Sequence, residues 1–183
     1  MKKYYAWMLA AVLGVAGAAA HAQKDPLVGG AQMYPTKNIV ENAMNSKDHT
    51  TLVAAVKAAG LVDTLEGSGP FTVFAPTNEA FAKLAEGTVD LLLKPENKAM
   101  LTKVLTYHVV PGKVTSKDLK KMIEDGGGKA EIKTVEGGTI TAMVEGGKVV
   151  LKDEKGGIST VTIADVYQSN GVIHVVDTVL MPN

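Results

Sequence analysis

One segment, residues 71–81 with the sequence FTVFAPTNEAF, constrains the fold more than any other part of the chain. Its first five residues alternate in the way that predicts a β-strand. Pro76 cannot donate a ladder hydrogen bond, so the strand is expected to end there. Thr77 or Asn78 has the side chain to cap a following helix, and Phe81 would turn that helix back onto the core. The segment therefore predicts a strand that passes directly into a short helix.

The rest of the chain changes from helical to β character along its length. Apolar residues recur at helical spacing before the glycine-rich stretch at 126–128, and β-rich runs follow it. The glycine pairs at 137–138, 146–147 and 156–157 predict tight hairpins in which both turn residues have positive φ. Helices are predicted over residues 38–43, 51–59, 77–86, 88–94, 95–108 and 116–123, and strands near 132–134, 139–144, 148–151, 158–163 and 171–180. This order predicts an α+β domain.

The N-terminus has the pattern of a cleaved export signal. Lys2 and Lys3 precede an apolar stretch that ends in the small-x-small pattern Ala20-His21-Ala22. We expect residues 1–22 to be removed, since the stretch is short for a membrane anchor. Residues 23–36 lack periodicity, contain Pro26, Gly29, Gly30 and Pro35, and are expected to form a flexible lead-in. Residues 37–183 would then form a single domain, exported to the periplasm or the cell surface.

Composition excludes several functions. Removing Lys2 and Lys3 from the 19 basic residues leaves 17 against 19 acidic ones, and every basic residue is lysine. Without arginine or a basic excess, the chain is not expected to bind nucleic acid. It has no cysteine, which removes disulfides and thiolate metal sites. No run after the signal is long enough for a membrane span, so we expect no membrane span in the mature chain.

Two further motifs accompany the first one. Residues 105–112 read LTYHVVPG and residues 170–177 read NGVIHVVD. Together with FAPTN at 74–78, and in this order, they make the chain similar to the fasciclin-like domain family. The resemblance covers nearly all of the mature chain. It implies a wedge of two antiparallel β-sheets with several short helices packed against it, an adhesion or surface-interaction role, no enzymatic activity and no cofactor.

The resemblance also points to particular residues. In animal members, the Tyr-His region has been implicated in integrin binding, as has an Asp-Ile element before the last motif. Tyr107 and His108 match the first of these, and Asp165-Val166 matches the second in part, because valine replaces isoleucine. These four residues are the predicted partner-binding set, with a surface or matrix protein or glycan as partner and a monomer or weak homo-oligomer as the assembly.

Catalytic and metal sites find little support in the residues themselves. His49, His108 and His174 are not paired at the spacing of metal ligands, so no metal site is predicted. His108 and His174 lie in apolar surroundings and are expected to be structural, whereas His49 is expected in an exposed loop. Ser68 lacks the surroundings of a catalytic serine. Structural roles are likewise predicted for Thr77 and Asn78 as helix caps and for Asp177 as a hydrogen-bond acceptor at a sheet end.

Two functions follow from these observations. The first is a non-enzymatic exported interaction module in cell-surface or matrix adhesion. The alternative is a periplasmic carrier of a small apolar ligand, held between the helices and the sheet wedge. An enzyme that uses His108 or His174 is a third possibility, for which the sequence shows no catalytic set.

Overall fold

A computed structural model describes residues 25–183, and the predicted export signal at 1–22 lies outside them. The described chain has nine strands and seven α-helices, in addition to two short 3-10 turns. The strands are β1 (Leu27–Val28), β2 (Ala31–Gln32), β3 (Phe71–Pro76), β4 (Val109–Pro111), β5 (Lys129–Lys133), β6 (Thr139–Glu145), β7 (Lys148–Lys152), β8 (Ile158–Gln168) and β9 (Gly171–Val176). The helices are α1 (Ile39–Asn45), α2 (Thr50–Ala59), α3 (Val62–Glu66), α4 (Asn78–Ala82), α5 (Thr88–Leu92), α6 (Lys98–Tyr107) and α7 (Ser116–Asp125). The α+β class predicted from the sequence is confirmed.

Seven strands are hydrogen-bonded in the order β4-β3-β9-β8-β7-β6-β5. The long strand β8 belongs to both halves of this arrangement and turns between them at two register shifts, so the surface folds into a wedge. All pairs are antiparallel except β3 with β9, which run parallel. This parallel pair departs from the expected antiparallel arrangement, because the two strands are joined by most of the domain and not by a hairpin.

The two ends of the strand order approach each other. The amide of Val135, just after β5, donates to the carbonyl of Val109 in β4 over 2.8 Å. The amide of Glu136 donates in the same way to Thr106 at the end of α6 over 3.3 Å. These bonds bring the outer strands β4 and β5 together. Because unpaired strand edges can associate with other chains, the contact between these two edges protects the sheet.

The central pair of strands is buried on both faces. Val73 and Ala75 of β3 belong to a core under helices α1, α2 and α6, whereas Phe74 of the same strand points into a second core inside the wedge. Helix α7 closes this second core with Leu119 and Ile123. Burial on both faces is typical of parallel strands and explains why β3 is apolar at almost every position.

The segment predicted as a flexible lead-in has a defined structure from residue 25 onward. Strands β1 and β2 form a small hairpin, and Val28 of β1 and Met33, which follows β2, are buried in the core under the helices. The hairpin is tied to the next element by a bond from the amide of Lys47 to the carbonyl of Gly29. The prediction is therefore wrong for residues 27–33, since glycine and proline here shape a turn in place of a linker.

The glycine-pair turns differ in kind. Gly146 and Gly147 have φ of 56° and 80°, as predicted for a tight hairpin between β6 and β7. In the other two pairs only the first glycine, Gly137 or Gly156, has a positive φ. At Gly138 there is no space for a side chain, because a Cβ there would lie 2.8 Å from Cε2 of Tyr107. That turn is thus shaped around the ring of a distant side chain.

Candidate functional site

Tyr107 lies at the end of α6 with its side chain inside the wedge, fully buried. Its hydroxyl donates to the carbonyl of Thr139 over 2.7 Å and accepts from the amide of Glu154 over 3.2 Å. The ring therefore joins helix α6 to two separate hairpin turns. Burial raises the pKa of Tyr107 to about 12, which keeps the hydroxyl protonated and able to donate.

His108 follows directly and is also buried, with 2% of its surface exposed. Its Nδ1 lies 2.8 Å from the carbonyl of Val104, and its Nε2 accepts from the amide of Leu180 over 2.9 Å. A carbonyl only accepts and an amide only donates, so the ring must be neutral with its hydrogen on Nδ1. Burial lowers the pKa of His108 to about 4 and keeps the ring in this form.

The chain end is held by the same cluster. Besides the bond of Leu180 to His108, the amide of Met181 donates to the carboxylate of Asp153 over 2.9 Å. The amide of Asn183 donates to Glu154 over 3.2 Å. The hydrogen bonds from Thr139 and Asn183 lower the pKa of Glu154. Tyr107 and His108 thus lie at a junction between α6, two hairpins and the C-terminal segment, and their burial favours the structural role expected for His108 over the predicted partner contact.

Asp165 and Val166 lie at the second register shift of β8. Val166 is buried, with 1% of its surface exposed, so it too is a core residue and not a contact residue. Asp165 is half-buried and is the only non-glycine among the described residues with a positive φ, 59°. Its carboxylate accepts from the amide of Ser116 over 2.7 Å and from the Ser116 hydroxyl. The bulge therefore turns the Asp165 side chain toward the start of α7.

His174 on β9 supports this bulge from behind. Its Nδ1 accepts from the amide of Asp165 over 3.2 Å, and its Nε2 lies 2.8 Å from the carbonyl of Val114. The neutral ring therefore has its hydrogen on Nε2, opposite to His108. Burial lowers the pKa of His174, and the ring stacks on Phe74 with centroids 5.7 Å apart. His174 is a structural element of the wedge that connects β9, β8 and the loop before α7.

The other motif residues have local partners. Thr77 is the N-cap of α4, and its hydroxyl accepts from the amide of Ala80 over 3.2 Å. Asn78 accepts from the amide of Thr51 over 3.0 Å and donates to the carbonyl of Lys47 over 2.8 Å, so it connects α4 to α2 in place of capping. Asp177 accepts from the amide of Thr160 over 2.8 Å at the end of β9.

His49 was expected in an exposed loop, but the structure buries it with 3% of its surface exposed. Its Nδ1 lies 2.8 Å from the hydroxyl of Ser46, and burial lowers the pKa of the ring. Sequence reasoning missed this because the neighbours of His49 along the chain are polar, whereas the space beside its ring is lined by Val28 of β1 and by Val73 and Ala75 of β3. The three histidines lie apart, and no group of three or more His, Asp or Glu side chains able to hold a metal occurs in residues 25–183.

A surface groove of about 480 Å³ lies beside Asp165. It separates the N-terminal hairpin from the outer side of the β8 bulge. The ammonium of Lys113, which does not line the groove, lies 4.7 Å from the ring centre of Tyr167, which does. The groove is lined by Asp25, Pro26, Met33, Pro35, Ala164, Asp165 and Tyr167. Among the four predicted contact residues, Asp165 alone borders this open surface.

An enclosed apolar cavity lies under helices α1 and α2, next to His108. Its free volume is about 30 Å³. That volume corresponds to about one water molecule, far below the space that a small-molecule site requires. The cavity does not favour the alternative of a carrier for an apolar ligand.

Comparison with known proteins identifies relatives over most of the chain. The sequence profile of the fasciclin domain matches residues 47–182. A protein of Synechocystis sp., sll1483, is 48% identical over 160 residues, covering 87% of this chain and 82% of the relative. Immunogenic protein MPB70 of Mycobacterium bovis is 36% identical, covering 76% of this chain and 66% of the relative. Human periostin is 32% identical over 74% of this chain, which spans only 15% of periostin.

A solved structure agrees in fold. The FAS1 domain pair from the insect cell adhesion molecule fasciclin I superposes with a TM-score of 0.71 at 21% identity, covering 79% of this chain and 51% of that chain. Members of this family are non-enzymatic adhesion and extracellular proteins, as the resemblance predicted for this chain. The sequence match, the relatives and the fold agree, and the chain belongs to the fasciclin domain family.

Proposed function

We propose that this protein is an exported adhesion module that contacts a surface or matrix partner, a protein or a glycan, through the groove beside Asp165. The observation that carries the proposal is the position of the bulge in β8. It places Asp165, a half-buried residue, at the rim of an open groove of about 480 Å³, while the rest of the predicted contact set is buried. Polar groups at the rim of a partly apolar groove provide orientation and specificity for a bound segment.

The family supports the general role. Fasciclin relatives of this chain include an insect cell adhesion molecule and a mycobacterial cell surface glycolipoprotein. The predicted export signal agrees with a location in the periplasm or on the cell surface. No helix within residues 25–183 is long and apolar enough to cross a membrane. We expect the protein to act as a monomer or weak homo-oligomer.

The groove can be blocked without disturbing the core. Ala164 is an exposed residue of β8 that lines the groove, so Ala164→Trp would fill it. We expect the purified variant to fold normally and to lose retention on envelope fractions of its source organism or on matrix-coated plates that retain the wild type. Retention is measured with fluorescently labelled protein.

A matched control separates the groove from an effect of added hydrophobic surface. Ala99 is an exposed alanine of α6 outside the groove, so Ala99→Trp should bind as the wild type does. Equal retention of the wild type and Ala164→Trp would overturn the groove as contact surface. Failure of the wild type to be retained on either surface would overturn the adhesion role itself.

A further inference from the structure

The outer face of strands β5 to β8 is a second surface, distinct from the groove. Apolar residues of these strands alternate inward, where Ile132, Ile140 and Leu151 fill the core that α7 covers. The intervening positions point outward. Lys129 and Lys133 of β5 and Lys148 and Lys152 of β7 are the exposed lysines of this surface, which we call the basic sheet face.

The basic sheet face has an excess of positive charge, whereas the whole chain has none. The sequence has 19 basic and 19 acidic residues, but the basic sheet face has four lysines and only two carboxylates, Glu131 and Glu145. None of the four lysines forms a salt bridge in the described part of the chain. The ammonium groups of Lys129, Lys148 and Lys152 therefore remain available to an external anion. Lys133 donates to the hydroxyl of Thr139 over 2.9 Å, and its charge acts on the nearby carboxylate of Glu154.

Strand pairing fixes the spacing of these charges. Lys129 is aligned through Met143 of β6 with Val150, the residue between Lys148 and Lys152. Two interstrand steps separate β5 from β7 by about 10 Å, and four residues along a strand span about 13 Å. The lysines thus mark the corners of a staggered patch around Met143 and Val150, and the hydroxyls of Thr141 on β6 and Thr160 on β8 lie on the same side of the sheet.

We propose that the basic sheet face binds an extended acidic polysaccharide whose sugars carry carboxylates. Spaced ammonium groups complement the repeated charges of such a chain, and threonine hydroxyls complement its hydroxyl groups. Only two large apolar side chains on strands β5 to β8 are strongly exposed, Ile158 and, near the β6–β7 turn, Val144. The face therefore has little apolar surface to insert into a lipid bilayer. The face has no arginine, and neither strands β5 to β7 nor the first half of β8 has an aromatic ring to stack on bases, which distinguishes it from a nucleic-acid surface.

The probe is alginate, a polymer of uronic acids, with neutral dextran as reference. We expect the protein to bind alginate and not dextran, with an affinity that falls as salt rises from 50 to 200 mM, about the range over which screening shortens the reach of surface charges. Replacing the four lysines by glutamine should weaken binding about tenfold or more, since each exposed contact contributes modestly. Biolayer interferometry gives the dissociation constants, and circular dichroism verifies folding.

The control removes the same charge elsewhere. Lys57, Lys98, Lys117 and Lys120 are exposed lysines on helices, and their replacement by glutamine should leave alginate binding within about twofold. Equal loss in both variants would show an effect of net charge and overturn the proposal, as would the absence of alginate binding or stronger binding to phosphatidylglycerol vesicles. The inference rests on the adhesion role but not on the groove, so Ala164→Trp should still bind alginate.

Discussion

The Tyr107–His108 turn and the Asp165–Val166 bulge are built from similar parts but differ in access to solvent. Each has a buried histidine that accepts a backbone amide bond, His108 from Leu180 and His174 from Asp165. At the first, every side chain is enclosed between α6, the hairpins and the C-terminal segment. At the second, the backbone has a positive φ, and one side borders an open groove. A motif that identifies a family can therefore be a structural junction, whereas a contact surface needs an exposed side.

The two junctions should therefore respond differently to substitution. Changes at the closed junction should reduce the stability of the whole domain, because they remove packing and hydrogen bonds together. Changes at the open bulge should cost less and should affect binding at the groove. The predictions that follow test this difference.

The largest effect is expected for Tyr107→Ala. The substitution leaves a cavity inside the wedge and removes the partners of Thr139 and Glu154, so we expect a loss of about 3–5 kcal/mol in the free energy of unfolding. Urea denaturation followed by circular dichroism measures it. Met100→Ala, on the same helix but 58% exposed, should change stability by less than about 0.5 kcal/mol. A loss at Tyr107 no larger than at Met100 would show that the turn is not a structural junction.

The second prediction concerns pH. The pKa of His108 falls from 6.5 to about 4 because of burial, and Asp153 is the carboxylate that partly opposes this effect. Between these pH values the His108 ring binds a proton in the unfolded chain but not in the folded one. The free energy of unfolding therefore has its full value above pH 6.5 and decreases as pH falls toward 4. The contribution is about 3 kcal/mol. Burial lowers the pKa of His49 and His174 too, which adds in the same direction.

His108→Gln isolates this contribution. Carboxylates also titrate in acid, but they do so in both proteins, so the comparison concerns the slope of unfolding free energy against pH between 7 and 4. The variant should have a shallower slope, even if it is less stable at pH 7. Identical slopes would mean that His108 is not a neutral, buried ring in the folded protein.

The third prediction is at the open bulge. Asp165→Ala removes the acceptor of the Ser116 amide and hydroxyl and puts alanine at a φ of 59°, so we expect a loss of about 2 kcal/mol. Asparagine tolerates this φ and keeps one acceptor oxygen, so Asp165→Asn should lose less than about 1 kcal/mol. Thermal and urea unfolding of both variants test the difference. Equal losses would assign the effect to the negative charge and not to the backbone and its hydrogen bonds.

Local patterns predicted the parts of the fold that local interactions determine. The apolar periodicity of residues 51–59 and the strand-to-helix turn at Pro76 both match the structure closely. Features that depend on distant partners were missed: the parallel pairing of β3 with β9, the burial of His49 and the continuation of β8 beyond Ile163 to Gln168. In the last case, the bulge breaks the alternation by which a strand is found, so the candidate groove lies where the sequence pattern stops.

The smallest effect is expected for Lys113→Ala, which removes a neighbour of the groove residue Tyr167. The ammonium of Lys113, an exposed residue, lies 4.7 Å from the ring centre of Tyr167, and exposed cation–π pairs contribute about 0.5–1 kcal/mol. Stability should fall by no more than that, because neither residue has a core role. Tyr167 also lines the groove, so retention on the partner surface should change more than stability does. Lys37→Ala is the matched control, since Lys37 lies 5.2 Å from the ring centre of Tyr34, which does not line the groove. A loss of stability above about 2 kcal/mol at Lys113 would mean that the open bulge is as much a structural junction as the Tyr107–His108 turn.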